Sequence, residues 1–125
     1  MLLIAAAVVV AIVIYYMQNG SLLGGSYQAV FLSNGQVYFG KASSINSAYV
    51  TLRDIYYLQV SQVLQPVQGN QQQPRQQLSL AKLGLNELHK PKDLMRINRN
   101  HVIFIEDLQS DSQVVQAIES YKETQ

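Results

Sequence analysis

Every position from Met1 to Met17 is apolar or aromatic (MLLIAAAVVVAIVIYYM), with no charge and no strong helix breaker. The pattern predicts a hydrophobic helix over residues 1–18. Such a helix has no polar face, so it has to be covered all round, by lipid or by other helices. At 1.5 Å per residue the run reaches roughly 25 Å, a little short of a hydrocarbon core of about 30 Å. Continuation through Gln18, Asn19 and Leu22–Leu23 makes up the difference and sets Tyr15 and Tyr16 at the level of an interfacial aromatic belt. The β-branched Val8, Val9, Val10, Ile12, Val13 and Ile14 disfavour a helix in water. In lipid a lone segment has no other internally hydrogen-bonded conformation.

After a Gly/Ser-rich joint at 19–26 (NGSLLGGS), the hydrophobic period changes from that of a helix to that of a strand. Tyr27–Ser33 and Gln36–Lys41 flank Asn34-Gly35, which predicts a hairpin with a type I′ turn, both turn residues at positive φ. Gly40 ends the second strand or marks a bulge. A third strand is expected at Ala48–Arg53, after the polar turn Ser43–Ser47. A fourth runs from Asp54 or Ile55 to about Leu64, where Tyr57, Gln59 and Ser61 alternate with Leu58, Val60 and Gln62 as in a half-buried strand. Gln65–Gln77 holds seven glutamines, two prolines and a glycine in thirteen residues and reads as a solvated loop at the tip of a hairpin. Strands follow at Leu78–Leu83, Leu94–Asn98 and His101–Ile105, with a polar connection at Gly84–Asp93 and a turn at Arg99-Asn100. Ser110 or Asp111 caps a final helix, assigned to 110–122. It carries Val114, Val115, Ile118 and Tyr121 on one stripe, which docks on the sheet or on a neighbouring subunit.

Composition narrows the function. Without the first 25 or so residues about 100 remain, enough for one small domain. Nine basic and eight acidic residues are interleaved and give a net charge of +1, unlike an electrostatic nucleic-acid binder. There is no cysteine, hence no disulfide framework and no thiolate chemistry. His89, two residues after Glu87, and His101 lack the local spacing of a zinc site. Gly24-Gly25 opens no phosphate-binding βαβ unit, and no serine sits in a nucleophile elbow. Glu106 and Asp107, adjacent in a strand, point to opposite faces and cannot act as an acid/base pair. The expectation is a protein that is not an enzyme and binds neither cofactor nor metal. Of the eight tyrosines, Tyr38, Tyr49, Tyr56 and Tyr57 fall in strands, where they pack across strands or, if exposed, suit subunit or glycan contacts. Arg96 and Arg99 beside the last turn are solvated cations or contacts for an anionic surface.

Two stretches resemble a known small barrel. Val30-x-Leu32-x-Asn34-Gly35-x-x-Tyr38-x-Gly40 with Tyr49-x-Thr51-Leu52-x-Asp54 is similar to the first signature of Sm-like proteins, and Ile97–Ile105 (INRNHVIFI) to the second. The resemblance implies a strongly bent five-strand SH3/Sm-like barrel. The aspartate before the base-contacting residue is missing from Ile45–Tyr49, and the Arg-Gly pair reads Arg99-Asn100, so the family's RNA binding is not expected. A bare apolar N-terminus before a small domain also resembles the layout of type IV pilins, whose basic leader is removed, although Ala5 stands where those subunits carry glutamate. A cleaved secretory signal would need a basic n-region, and none is present. Finally QAVFLSNGQVYFGK, TLRDIYYLQV, LAKLGLNELHKP, INRNHVIFIEDL and DSQVVQAI resemble a group of short single-pass proteins of ultrasmall candidate-phyla bacteria. That resemblance implies an anchored extracytoplasmic domain.

The fold expected is mainly β with two helices: the N-terminal hydrophobic helix, a small bent antiparallel β-barrel or roll over 27–109, and the C-terminal amphipathic helix. The function expected is a non-enzymatic cell-surface subunit, polymerised or membrane-anchored, with its domain outside the cytoplasm. It would assemble with copies of itself through Leu2, Leu3, Ile4, Ala5, Ala6, Ala7, Val8, Val9, Val10, Ala11, Ile12, Val13 and Ile14, meeting a membrane at least transiently. Tyr49, Tyr56, Tyr57, Arg96 and Arg99 are the candidate surface contacts. The alternative is a membrane-anchored module in which the Gln-rich loop or a tyrosine face captures a protein, peptide or glycan.

Overall fold

The computed structural model describes residues 1–19, 26–67, 69 and 71–125. The protein is mainly β with two helices: α1 (Leu2–Asn19), β1 (Gln28–Leu32), β2 (Val37–Ser43), β3 (Tyr49–Val67), β4 (Gln71–Lys82), β5 (Leu94–Asn98), a 3-10 turn at Arg99–His101, β6 (Val102–Asp107) and α2 (Gln113–Glu123). Most of the expected Gly/Ser joint, residues 20–25, lies outside the described residues.

The strands form one antiparallel sheet in the order β4-β3-β2-β1-β6, with β5 also on β3. Leu52 pairs with both Ala42 and Met95, and Tyr56 with both Phe39 and Lys82. Thus β5 and β4 take successive lengths of the same edge of β3, opposite β2. β5 runs through the 3-10 turn into β6, which pairs with β1 and so brings the far end of the sheet round. β5 and β6 are joined by the chain and not by a ladder. The sheet is therefore curled but not closed, so of the bent barrel or roll expected it is not a closed barrel.

The third and fourth expected strands are one strand, β3, bent where they were divided. Between Phe39↔Tyr56 and Lys41↔Arg53 the register shifts, so Asp54 and Ile55 oppose Gly40 alone. That is a β-bulge, with Asp54 in the left-handed region at φ 54°. A Cβ on Gly40 would lie 2.6 Å from the Arg53 carbonyl oxygen, so only glycine lets the strands cross this closely.

Three other expectations change. The β1–β2 loop has three residues, not two: Leu32 N–H donates to Gln36 O, Gly35 N–H donates to Leu32 O, and Gly35 but not Asn34 has positive φ. This is a type I turn closed by a left-handed glycine, and the Asn34 side chain accepts from Gln36 N–H instead. Second, the Gln-rich tract is no loop. β3 and β4 stay in register from Tyr56↔Lys82 out to Val67↔Gln71, with Gly69 at φ 103° in the turn. Beyond the sheet this ribbon has only two strands, each with a free edge, so Pro66 and Pro74 can be carried without leaving a neighbour unpaired. Third, the half-buried alternation fails on the ribbon. Leu58, Val60 and Leu78 are 44%, 59% and 63% exposed, because no layer covers them.

Each face of the sheet builds its own core. Val30, Leu52, Ile55, Leu83 and Ile97 are buried inside the curl. Their alternate neighbours Ala29, Phe39 and Tyr56 point outward with Tyr27 and are covered by Val115 and Ile118 of α2. The cap of α2 is Ser112, whose hydroxyl accepts from Val115 N–H, one residue beyond the expected cap.

α1 is a helix, but its described side chains are uncovered: the large aliphatic residues from Leu2 to Ile14 are 42–89% exposed. Among the described residues no helix is long and apolar enough to cross a membrane. The helix ends in the polar Gln18 and Asn19, and its apolar part spans roughly 24 Å. The expected continuation to Leu22–Leu23 falls outside the described residues.

Gly40→Ala is expected to lower stability by about 1–3 kcal/mol through overpacking against backbone. Urea unfolding followed by far-UV circular dichroism measures this, and an unchanged midpoint would mean the crossing is not tight.

Candidate functional site

The residues expected to make surface contacts do not converge. Tyr56 is 1% exposed and belongs to the outer core, so it is withdrawn as a contact residue. Its neighbour Tyr57 points to the other face of the strand and is half-buried. Tyr49 is exposed, as is Arg96, which pairs through the backbone with Thr51. Arg99 is exposed on the 3-10 turn, at the rim of a shallow depression that includes Ile45, Ile103 and Phe104. No group of three or more metal-ligating side chains occurs among the described residues. His101 Nδ1 lies 3.2 Å from Ser33 Oγ, a hairpin-end contact.

Around the bulge the polar groups form a network that ties α2 to the sheet. Tyr27 Oη donates to Asp54 Oδ2 at 2.5 Å, and Lys122 Nζ of α2 donates to the same oxygen at 2.7 Å. Lys82 Nζ lies 3.5 Å from Asp54 and 2.7 Å from Asp93, and Asp93 accepts from Ile55 N–H. Lys82 also sits over the Tyr56 ring, and Lys122 over that of Tyr27. Burial opposes ionisation of Asp54, but hydrogen bonds from Lys122 and Tyr27 outweigh it and hold the carboxyl below the usual range. Burial, reinforced by the bond to Asp54, pushes Tyr27 up to about 12. Lys122 is raised: burial works against its charge, but its bond to Asp54 prevails. Every charge here has a protein partner, so the network acts as a clasp between α2 and the sheet.

The concave candidate lies on the other side. A cleft of about 630 Å³ opens between β2–β3 and the 83–94 connection. Tyr38 and Tyr57 line it, their rings 6.0 Å apart at 69°. Leu83, Pro91, Leu94 and Met95 make it largely apolar, and Gln36, Glu87 and His89 supply polar groups. Glu87 is fixed at both oxygens: Tyr57 Oη donates to Oε1 at 2.5 Å, and Gly84 N–H donates to Oε2 at 2.8 Å. These bonds, Tyr57's first, keep the carboxyl below its ordinary pKa, and the same contact raises that of Tyr57. Gly84, at φ 97°, has no room for a Cβ beside the Pro91 carbonyl, so the connection folds tightly back on itself. Sequence reasoning named Tyr57 and noted Glu87 and His89. It missed their union with Tyr38, because the return of residues 84–93 over β2–β3 has no periodic signal.

Compared with known proteins, the chain matches no family model and no curated protein.

The clasp predicts a pH dependence. Asp54's folded pKa is lowered, so its contribution is present above the unfolded value of about 3.9 and is lost as pH falls through the folded value. Those of Tyr27 and Lys122 are raised, so their contribution is complete below about 10 and declines as pH rises toward 12 and beyond. Asp54→Asn keeps a side chain that tolerates positive φ and removes the charge. It should cost about 1–2 kcal/mol at pH 7, and less as pH falls below 4. Urea midpoints across pH 2–7 test this, and a difference independent of pH would show that the charge is not what stabilises.

Proposed function

We propose that this chain is a non-enzymatic structural subunit of the cell surface that assembles with its own copies through α1 and displays the β domain outside. The observation that carries the reading is the exposure of Leu2–Ile14 on every side of a well-formed helix. Nine large aliphatic side chains lie in that run. Removing each from water gives on the order of 1.5–3 kcal/mol, together comparable with or above association costs of about 4–15 kcal/mol. Lipid would offer the same gain, so energy alone does not choose. Small residues favour helices: Ala7 and Ala11, four apart, share a face on which backbones can approach closely. A pilin-like filament, with α1 as core and the domains as sheath, is the sharpest form of this proposal.

The cleft favours a second reading, a membrane-anchored extracytoplasmic binding module. Ala7→Leu combined with Ala11→Leu separates the two. Widening the small face should abolish fibres seen by negative-stain electron microscopy of material sheared from cells and labelled against the β domain. Membrane association by an anchor would be kept or strengthened. Fibres in normal number from the double variant would rule out close helix packing, and label confined to membranes for the unaltered chain would favour the anchor.

A further inference from the structure

We infer that the cleft between β2–β3 and the 83–94 connection is a binding site for a small organic cation, an alkylated ammonium head on an apolar body. The inference does not depend on what covers α1.

Three properties of the cleft select this chemistry. Its volume falls within the range of small-molecule sites, roughly 300–1,000 Å³. Its lining is mostly aliphatic and aromatic, and neither lysine nor arginine is part of it. Glu87 is the one acidic side chain in that lining. An anionic ligand would meet that carboxylate unopposed. A neutral apolar ligand would draw that carboxylate out of water with only the neutral donors Tyr57 and Gly84 to balance its charge, which is costly. A cation with an apolar body satisfies both demands.

The aromatic residues point the same way. Tyr38 and Tyr57 stand at 69° to one another, and a cation near a tyrosine ring is attracted by the negative π face. The Tyr57 hydroxyl is spent on Glu87, and that of Tyr38 donates to Gln36 Oε1 at 3.1 Å. Both phenols are thus fixed by partners beside the cleft, and Glu87 is held on two sides before any ligand arrives. Little ordering remains to be done on binding, which favours affinity. A sugar, the other ligand that aromatic surfaces suit, would need several free donors and acceptors. Here most polar groups of the cleft are already engaged with one another.

The experiment titrates the full chain in non-ionic detergent with choline and with its neutral isostere 3,3-dimethylbutan-1-ol, reading amide shifts by nuclear magnetic resonance. Choline is expected to shift residues of the cleft and to bind at least fivefold more tightly than the alcohol. Glu87→Gln keeps one acceptor, for Gly84 N–H, turns its amide NH2 to the Tyr57 hydroxyl as a donor and removes the charge; it should weaken choline at least fivefold while leaving the alcohol within twofold. Should that variant lose its native spectrum, Tyr38→Leu replaces it, with the same selective loss expected. Equal affinity for the two probes, shifts located outside the cleft, or choline binding unaffected by both substitutions would each overturn the assignment.

Discussion

The crossing of Gly40 and Asp54 sets the geometry on which the rest of this domain depends. One extra residue in β3, taken up with Asp54 in the left-handed region, lets the strand bend and exchange β5 for β4 along one edge. The missing Cβ of Gly40 lets β2 follow that bend at close range. At the same point Asp54 receives Tyr27 and Lys122, so the bend, the start of β1 and the end of α2 are joined through one carboxylate. Lys82 and Asp93 extend the connection to the end of β4 and the start of β5. Shape and electrostatics thus constrain one another here: the bend brings the charges together, and their pairing opposes straightening.

From that bend follow two surfaces of different character. The outer face carries Tyr56 under α2, and beyond α2 the apolar positions continue uncovered along the ribbon, where Leu58 pairs with Leu80 and Val60 with Leu78. The inner face carries Ile55 and Tyr57. The 83–94 connection closes over Ile55 but stops short over Tyr38 and Tyr57, and the cleft is what remains open. Adjacent tyrosines therefore have unlike roles, one filling a core and the next facing a cavity, because alternation along a strand places them on opposite faces.

How much of this the sequence disclosed varies with the range of the interaction. The β1–β2 hairpin, β5, the turn at Arg99 and the stripe of α2 are local patterns, and each lies within a few residues of its expected place. The unity of β3 was hidden because a bulge residue at positive φ looks, in one dimension, like a strand boundary. The Gln-rich ribbon was hidden because composition measures the capacity to build a core, whereas a ladder needs only backbone groups in register, and Tyr56↔Lys82 fixes that register from inside the domain. The cleft was legible only as separate residues. Tyr38 and Glu87 stand 49 positions apart, and nothing local announces that a polar connection returns across β2.

Among the described residues, α1 has no cover on its own domain. The domain has two apolar faces, and both are committed: the inner one to the curl of the sheet, the outer one to α2. What stays uncovered is discontinuous. Among the described residues it includes the ribbon stripe of Leu58, Val60 and Leu78, the β6 side where Phe104 stacks on Phe31 and Ile103 is exposed, and Leu85 and Leu88 of the 83–94 connection. A patch on one side of a helix that is apolar on all sides would leave its other faces in water. A helix apolar on all sides is covered fully only by something that surrounds it, which sets the exposure of Leu2–Ile14 apart from that of the scattered patches on the domain.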